Sequence, residues 1–133
     1  MKYMLDTNIV IYTIKHRPES VFKKFLTMQP SDCCISSITQ AEMEYGISKS
    51  SNPERNRLAL TMFLTGIEIL PFDSAAAEEY GPICAALEKL GRPIGPNDML
   101  IAAHAKASGM TLVTNNTKEF TRIEGLTVEN WVN

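Results

Sequence analysis

The chain has 133 residues, of which 44% are hydrophobic and 21% charged, and a formal net charge of −2. That balance belongs to a folded domain rather than a disordered chain, and the length allows one core with none left for a second domain. Apolar stretches are interrupted too often for a transmembrane helix, the run before Asp6 is too short for a signal peptide, and a cytoplasmic protein is expected.

Tyr3-Met4-Leu5 reads as a short strand closed by Asp6, with a helical segment beginning at Asn8. Lys15-His16-Arg17, with Lys23 and Lys24, is the best local concentration of positive charge, and serves either as a phosphate-binding patch or as a solvated helix face. Without a bulk positive excess, nucleic-acid binding would have to rest on a local site. Pro18 fits the first turn of a second helix whose apolar stripe is Val21, Phe22, Phe25 and Leu26. Cys33 to Ser36 is a second strand, followed by a helix that starts at Ser37 or Thr39 and runs toward Gly46 or Ser50. Cys33, Cys34 and Cys84 are odd in number and lack metal spacing, so they read as small buried hydrophobes.

Pro53 to Leu64 is predicted helical and Ile67 to Leu70 a strand. Asp73 is a natural cap for the helix from Ser74 to Leu90, which Gly91 ends. A helix from Asn97 to Ala107, a strand from Thr111 to Thr114 and a last short strand near Leu126 to Val128 complete the chain. Strands alternating with helices of this length imply a three-layer α/β/α sandwich around a mainly parallel sheet, with the functional crevice beyond the carboxyl ends of its strands.

Asp6, Glu42, Asp98 and Glu119 all fall at strand-to-helix junctions or just after them. One pair of carboxylates about 4 Å apart repels by roughly 4 kcal/mol at an effective dielectric near 20, so a converging set calls for a hard cation such as Mg²⁺ or Mn²⁺. Each residue also has a purely structural explanation. Asp6 can cap the helix after it, Thr39 to Glu42 and Asn116 to Glu119 have capping-box spacing, and Asp98 suits the positive end of its helix dipole. Asp98 is hardest to explain that way, because Met99 to Ala103 make its helix apolar nearly all round. The chain has no phosphate-cradling glycine loop, no GxSxG elbow and only two histidines, which removes the commonest alternatives. His104 lies about 240° around the helix from Asp98 and reads as a packed or hydrogen-bonded core residue.

Four segments together resemble the PIN-domain nucleases, and within them the VapC-type toxins of bacterial toxin–antitoxin pairs. Met4-Leu5-Asp6-Thr7-Asn8 is similar to the opening motif and Ser36-Ser37-Ile38-Thr39-Gln40-Ala41-Glu42 to the second. Gly95 to Ala105, centred on Asp98, is similar to the third, and Thr114 to Phe120, ending in Glu119-Phe120, to the fourth. The resemblance implies a metal-dependent endoribonuclease in which Asp6, Asp98 and Glu42 bind Mg²⁺, or Mn²⁺, and Glu119 completes the site. It implies that Thr7, Asn8, Ser37, Thr114 and Asn116 orient those carboxylates. Asn116 stands where many members have an aspartate, so one tightly held ion is expected. Further implications are structured RNA as substrate, often a tRNA anticodon stem-loop and in some members initiator tRNA, with 5′-phosphate and 3′-hydroxyl products. A homodimer silenced by a VapB-type antitoxin, which alone would bind operator DNA, is also implied. Lys15, Arg17 and Arg92 are candidates for contacts to RNA, Arg92 being equally well explained as a plain loop residue. The rivals are a receiver-like signalling domain phosphorylated on Asp73, which would want an acidic pair where Asp6 is followed by Thr7 and Asn8, and an inactive RNA-binding module on the same fold.

Overall fold

The computed structural model describes residues 2–133. Strand β1 (Tyr3–Leu5) passes through Asp6 directly into helix α1 (Thr7–Lys15), and α2 (Glu19–Leu26) follows. Strand β2 (Cys33–Ser36) runs without a loop into α3 (Ser37–Lys49), then come α4 (Pro53–Phe63) and β3 (Glu68–Leu70). Helices α5 (Ser74–Lys89) and α6 (Pro96–Ala107), strand β4 (Thr111–Val113), the short α7 (Thr117–Phe120) and β5 (Val128–Glu129) complete the order. The sheet is ordered β3-β2-β1-β4-β5, and every pairing is parallel.

Side chains alternate across the sheet, so its register sorts the core into two layers. Met4 pairs with Cys34 on one side and Leu112 on the other, and this row packs against α5 and α6 through Ile83, Leu87, Ile101 and Ala105. Leu5 pairs with Val113, and with Ile35 they face the opposite way, onto Ile9, Val10, Ile47 and Leu60 of α1, α3 and α4. β1, with strands on both flanks and helices over both faces, is thus the axis of the three-layer sandwich. Burial pushes the Cys33 and Cys34 thiols up to about 11 and about 12, which keeps them protonated and inert. Cys84 departs from the expected burial and is only half-buried.

Several element ends differ from the sequence reading. Pro18 precedes α2 rather than opening it, and Leu26, expected in the apolar stripe, is exposed. Helix α3 passes through Gly46, because a single glycine weakens a helix without ending it. The final strand lies at Val128–Glu129, and α7 had no periodic signal because it is a single turn.

Candidate active site

Asp6 stands at the carboxyl end of the central strand and is only 5% exposed. Its N–H donates to the Val113 carbonyl at 3.0 Å, and its Oδ1 accepts the Ile9 N–H at 2.9 Å, so the same carboxylate caps α1. Glu42 lies in the second turn of α3, where the Thr7 hydroxyl donates to its Oε1 at 2.6 Å. The Thr7 and Thr39 hydroxyls lie 3.4 Å apart, and Thr39 is fully buried. Asp98 is the third residue of α6 and is half-buried. Glu119, on α7, accepts from Asn116 Nδ2 at 2.9 Å, while the Asn116 N–H donates to Thr114 Oγ1 at 3.0 Å.

The fold therefore brings the four predicted acids to one end of the sheet, close enough to act on one another. Burial raises Asp6 to about 6, with smaller contributions from Asp98 and Glu42, against the Thr114 hydroxyl and the Ile9 N–H, which favour its charged form. Burial likewise raises Asp98, with Glu42 and then Glu119 adding to it. The ion pairs among the described residues are Lys23–Glu19, Arg57–Glu44 and Lys106–Glu79, and none involves these four acids. This negative charge is thus gathered without an ion pair among the described residues to offset it. Among the described residues no three His, Cys, Asp or Glu side chains are grouped so that together they could hold a metal ion. An open, all-oxygen donor set fits Mg²⁺ better than a preformed cage would, since that ion keeps several waters and takes one or two carboxylates.

The neighbouring residues divide clearly. Thr7, Thr114 and Asn116 touch the carboxylates or one another as described, whereas Ser37 Oγ instead accepts the Phe72 N–H at 3.0 Å and ties the end of β3 to the start of α3. Asn8 is exposed on α1. Lys15 lines a recess of about 260 Å³ bordered by Thr7 and Glu42, while Arg17 lines the adjoining one. Arg92 is exposed on the loop after α5 and lines neither recess beside Glu42. Neither capping box forms. Ser36 caps α3 through its hydroxyl, and Asn116 spends its amide on Glu119. Asp73 Oδ1 accepts the Ala76 N–H at 3.0 Å, an N-cap that accounts for this residue without phosphorylation. Glu44 is held below the usual carboxylate range by its hydrogen bond from Arg57. The sequence reading missed Thr39, and the capping-box spacing that drew attention to it pointed to the wrong role.

Comparison with known proteins places this arrangement. The PIN domain family model matches residues 3–126. The chain is 48% identical to the tRNA(fMet)-specific endonuclease VapC of Shigella flexneri, over 98% of each protein. It is also 48% identical to ribonuclease VapC2 of Haemophilus influenzae (strain ATCC 51907 / DSM 11121 / KW20 / Rd), over 99% of each. Among solved structures, VapBC2 from Rickettsia felis bound to a promoter DNA fragment superposes with a TM-score of 0.91 at 45% identity, covering 98% of this chain and 99% of that one. DNA-bound VapBC from Salmonella typhimurium gives 0.91 at 46% identity, covering 98% of each.

Proposed function

The chain belongs to the PIN-domain family, among its VapC ribonucleases, and from that premise we propose that it is a Mg²⁺-dependent endoribonuclease toxin acting on structured RNA. The observation that carries this reading is the buried Asp6, acted on by Asp98 and Glu42, with no ion pair to any of the four acids among the described residues. Asp6 and Asp98 would hold the ion, with Glu42 and Glu119 completing the site, and Mn²⁺ would serve in place of Mg²⁺. When bound, the ion lowers the pKa of a water and offsets the charge that builds on the phosphate. Thr7 fixes the Glu42 carboxylate and Asn116 fixes that of Glu119, so neither must be ordered during the reaction. Asn116 adds no charge of its own, which suits a site that holds one ion tightly. Water attacks phosphorus in line with the departing 3′ oxygen, the P–O3′ bond breaks and the proton ends on that oxygen. The products are a 5′-phosphate and a 3′-hydroxyl.

The RNA is proposed to be a tRNA, cut in its anticodon stem-loop, with initiator tRNA first by analogy with the tRNA(fMet)-specific Shigella relative. Cleavage there stops translation in the cytoplasm. The chain acts as a homodimer until a VapB-type antitoxin covers the site, and operator DNA is bound only through that antitoxin. Lys15 offers a phosphate contact in the recess it shares with Glu42, Arg17 one in the adjoining recess, and Arg92 a third from the loop after α5. One experiment decides the matter: the chain and its Asp6→Ala variant are expressed separately and the RNA ends of both cultures are mapped. Growth arrest with new 5′-phosphate ends should occur only with the unmutated chain. Equal toxicity from both, or cleavage that survives EDTA, refutes the assignment.

A further inference from the structure

Gly46 lies inside α3, where glycine makes a weaker helix than alanine. Nothing in the fold requires it, because a Cβ built there meets no atom within 4 Å. Two recesses, of about 260 and 610 Å³, share Thr7, Ile11, Glu42 and Gly46 in their walls, so Gly46 occupies the strip between them. Glu42, Tyr45, Gly46 and Lys49 are spaced to share one helix face, and Tyr45 is about one turn, roughly 5 Å, beyond the carboxylate. Tyr45 is 67% exposed, with Lys49 Nζ 4.7 Å from its ring centroid. Thus an acid, an aromatic ring and a cation follow one another along a face kept bare by a glycine.

We propose that this face of α3 is a nucleotide track. Tyr45 stacks the unpaired base next to the scissile phosphodiester, Lys49 meets a neighbouring backbone phosphate, and Gly46 lets the strand lie against the helix. The inference rests on the ribonuclease reading and adds to it how the substrate is gripped. Proteins that read RNA splay bases from loops and stack them on aromatic rings, while cations follow the phosphates. RNA is favoured over a segment of a protein partner because the stripe starts at Glu42, so a phosphodiester at the acids brings its next nucleotide to Tyr45. Lys49 supplies the charge that a phosphate requires.

The test uses the full chain, Mg²⁺ and an initiator-tRNA anticodon stem-loop carrying 2-aminopurine beside the cut. Tyr45→Ala should raise KM by about 5- to 150-fold with kcat nearly unchanged, and Tyr45→Trp should restore it. Gly46→Ala should raise Tm and KM together, a pairing that a purely structural glycine does not produce. Binding should quench 2-aminopurine with the unmutated chain and fail to do so with Tyr45→Ala. Unmutated KM in both Tyr45→Ala and Gly46→Ala overturns the track. So does a loss confined to antitoxin binding, which hands the face to a protein partner. If the unmutated chain cleaves nothing, the ribonuclease reading fails, and the fluorescence alone judges the track: quenching lost in Tyr45→Ala upholds it, and equal signals overturn it.

Discussion

Burial that holds Asp6 up to about 6, above an ordinary value of 3.8, makes this carboxylate a liability to the metal-free fold at neutral pH. Below about pH 4 it is protonated whether the chain is folded or not, and it costs nothing. Between about pH 4 and 6 the unfolded chain has lost this proton while the folded chain keeps it, so stability declines across that range and levels off above it. Asp6→Asn in EDTA should therefore be more stable than the unmutated chain at pH 7.5, by on the order of 2 kcal/mol, with the difference vanishing below pH 4. Urea unfolding at several pH values measures this, and an unchanged stability at pH 7.5 refutes it. Asn still caps α1, so the gain is not offset by a lost cap. Cleavage should meanwhile drop by at least about 100-fold, since removing an electrostatic stabiliser of a transition state typically costs that much. The position of Asp6 could be read from the sequence, because a carboxylate directly after an apolar strand has few places to go. Its second role as the α1 cap is fixed by the start of that helix at Thr7, one residue earlier than the sequence reading placed it.

Helix α6 and the start of α3 are joined by a buried pair, His104 Nδ1 and Ser36 Oγ at 2.8 Å. Ser36 also accepts the Ile38 N–H at 3.0 Å and is fully buried, and one hydrogen bond joins it to the ring, donated by whichever of the two carries the proton. Burial pushes His104 below its ordinary value, against the pull of Asp73, so the ring is neutral near pH 7. Its contribution is complete above pH 6.5 and is lost as pH falls toward the depressed value, because the unfolded chain takes up the proton first. Ser36→Ala and His104→Ala should each cost about 2–4 kcal/mol, from a lost cap, an unpaired buried group or a cavity. The double variant should cost less than their sum by at least about 1 kcal/mol, and strict additivity in urea titrations rules the link out. The sequence marked His104 as a core residue but gave no sign of its partner, 68 positions away. Thr39 was similarly mistaken for a cap because β2 meets α3 without a loop, which leaves Ser36 as both the last strand residue and the cap.

Across the whole molecule, the alternation of short strands and helices was enough to give the parallel three-layer order, since crossover connections leave few alternatives. The C-terminal end was less legible. Trp131 is buried against Tyr3, with ring centroids 5.7 Å apart, and this contact spans the full length of the chain where periodicity carries no signal. Trp131→Ala should cost about 3–5 kcal/mol by leaving a cavity beneath β1, measurable as a drop in urea midpoint. Mg²⁺ should raise Tm at pH 7.5 and do so much less at pH 5, where Asp6 holds its proton, with EDTA reversing the gain. An equal rise at both pH values contradicts a site built on that carboxylate. The sheet's two outer strands, finally, span three and two residues. Rims that short present hardly any free amide row for a second copy to extend, so the molecule resists fibril-like stacking at its edges without needing a guarding proline or lysine there.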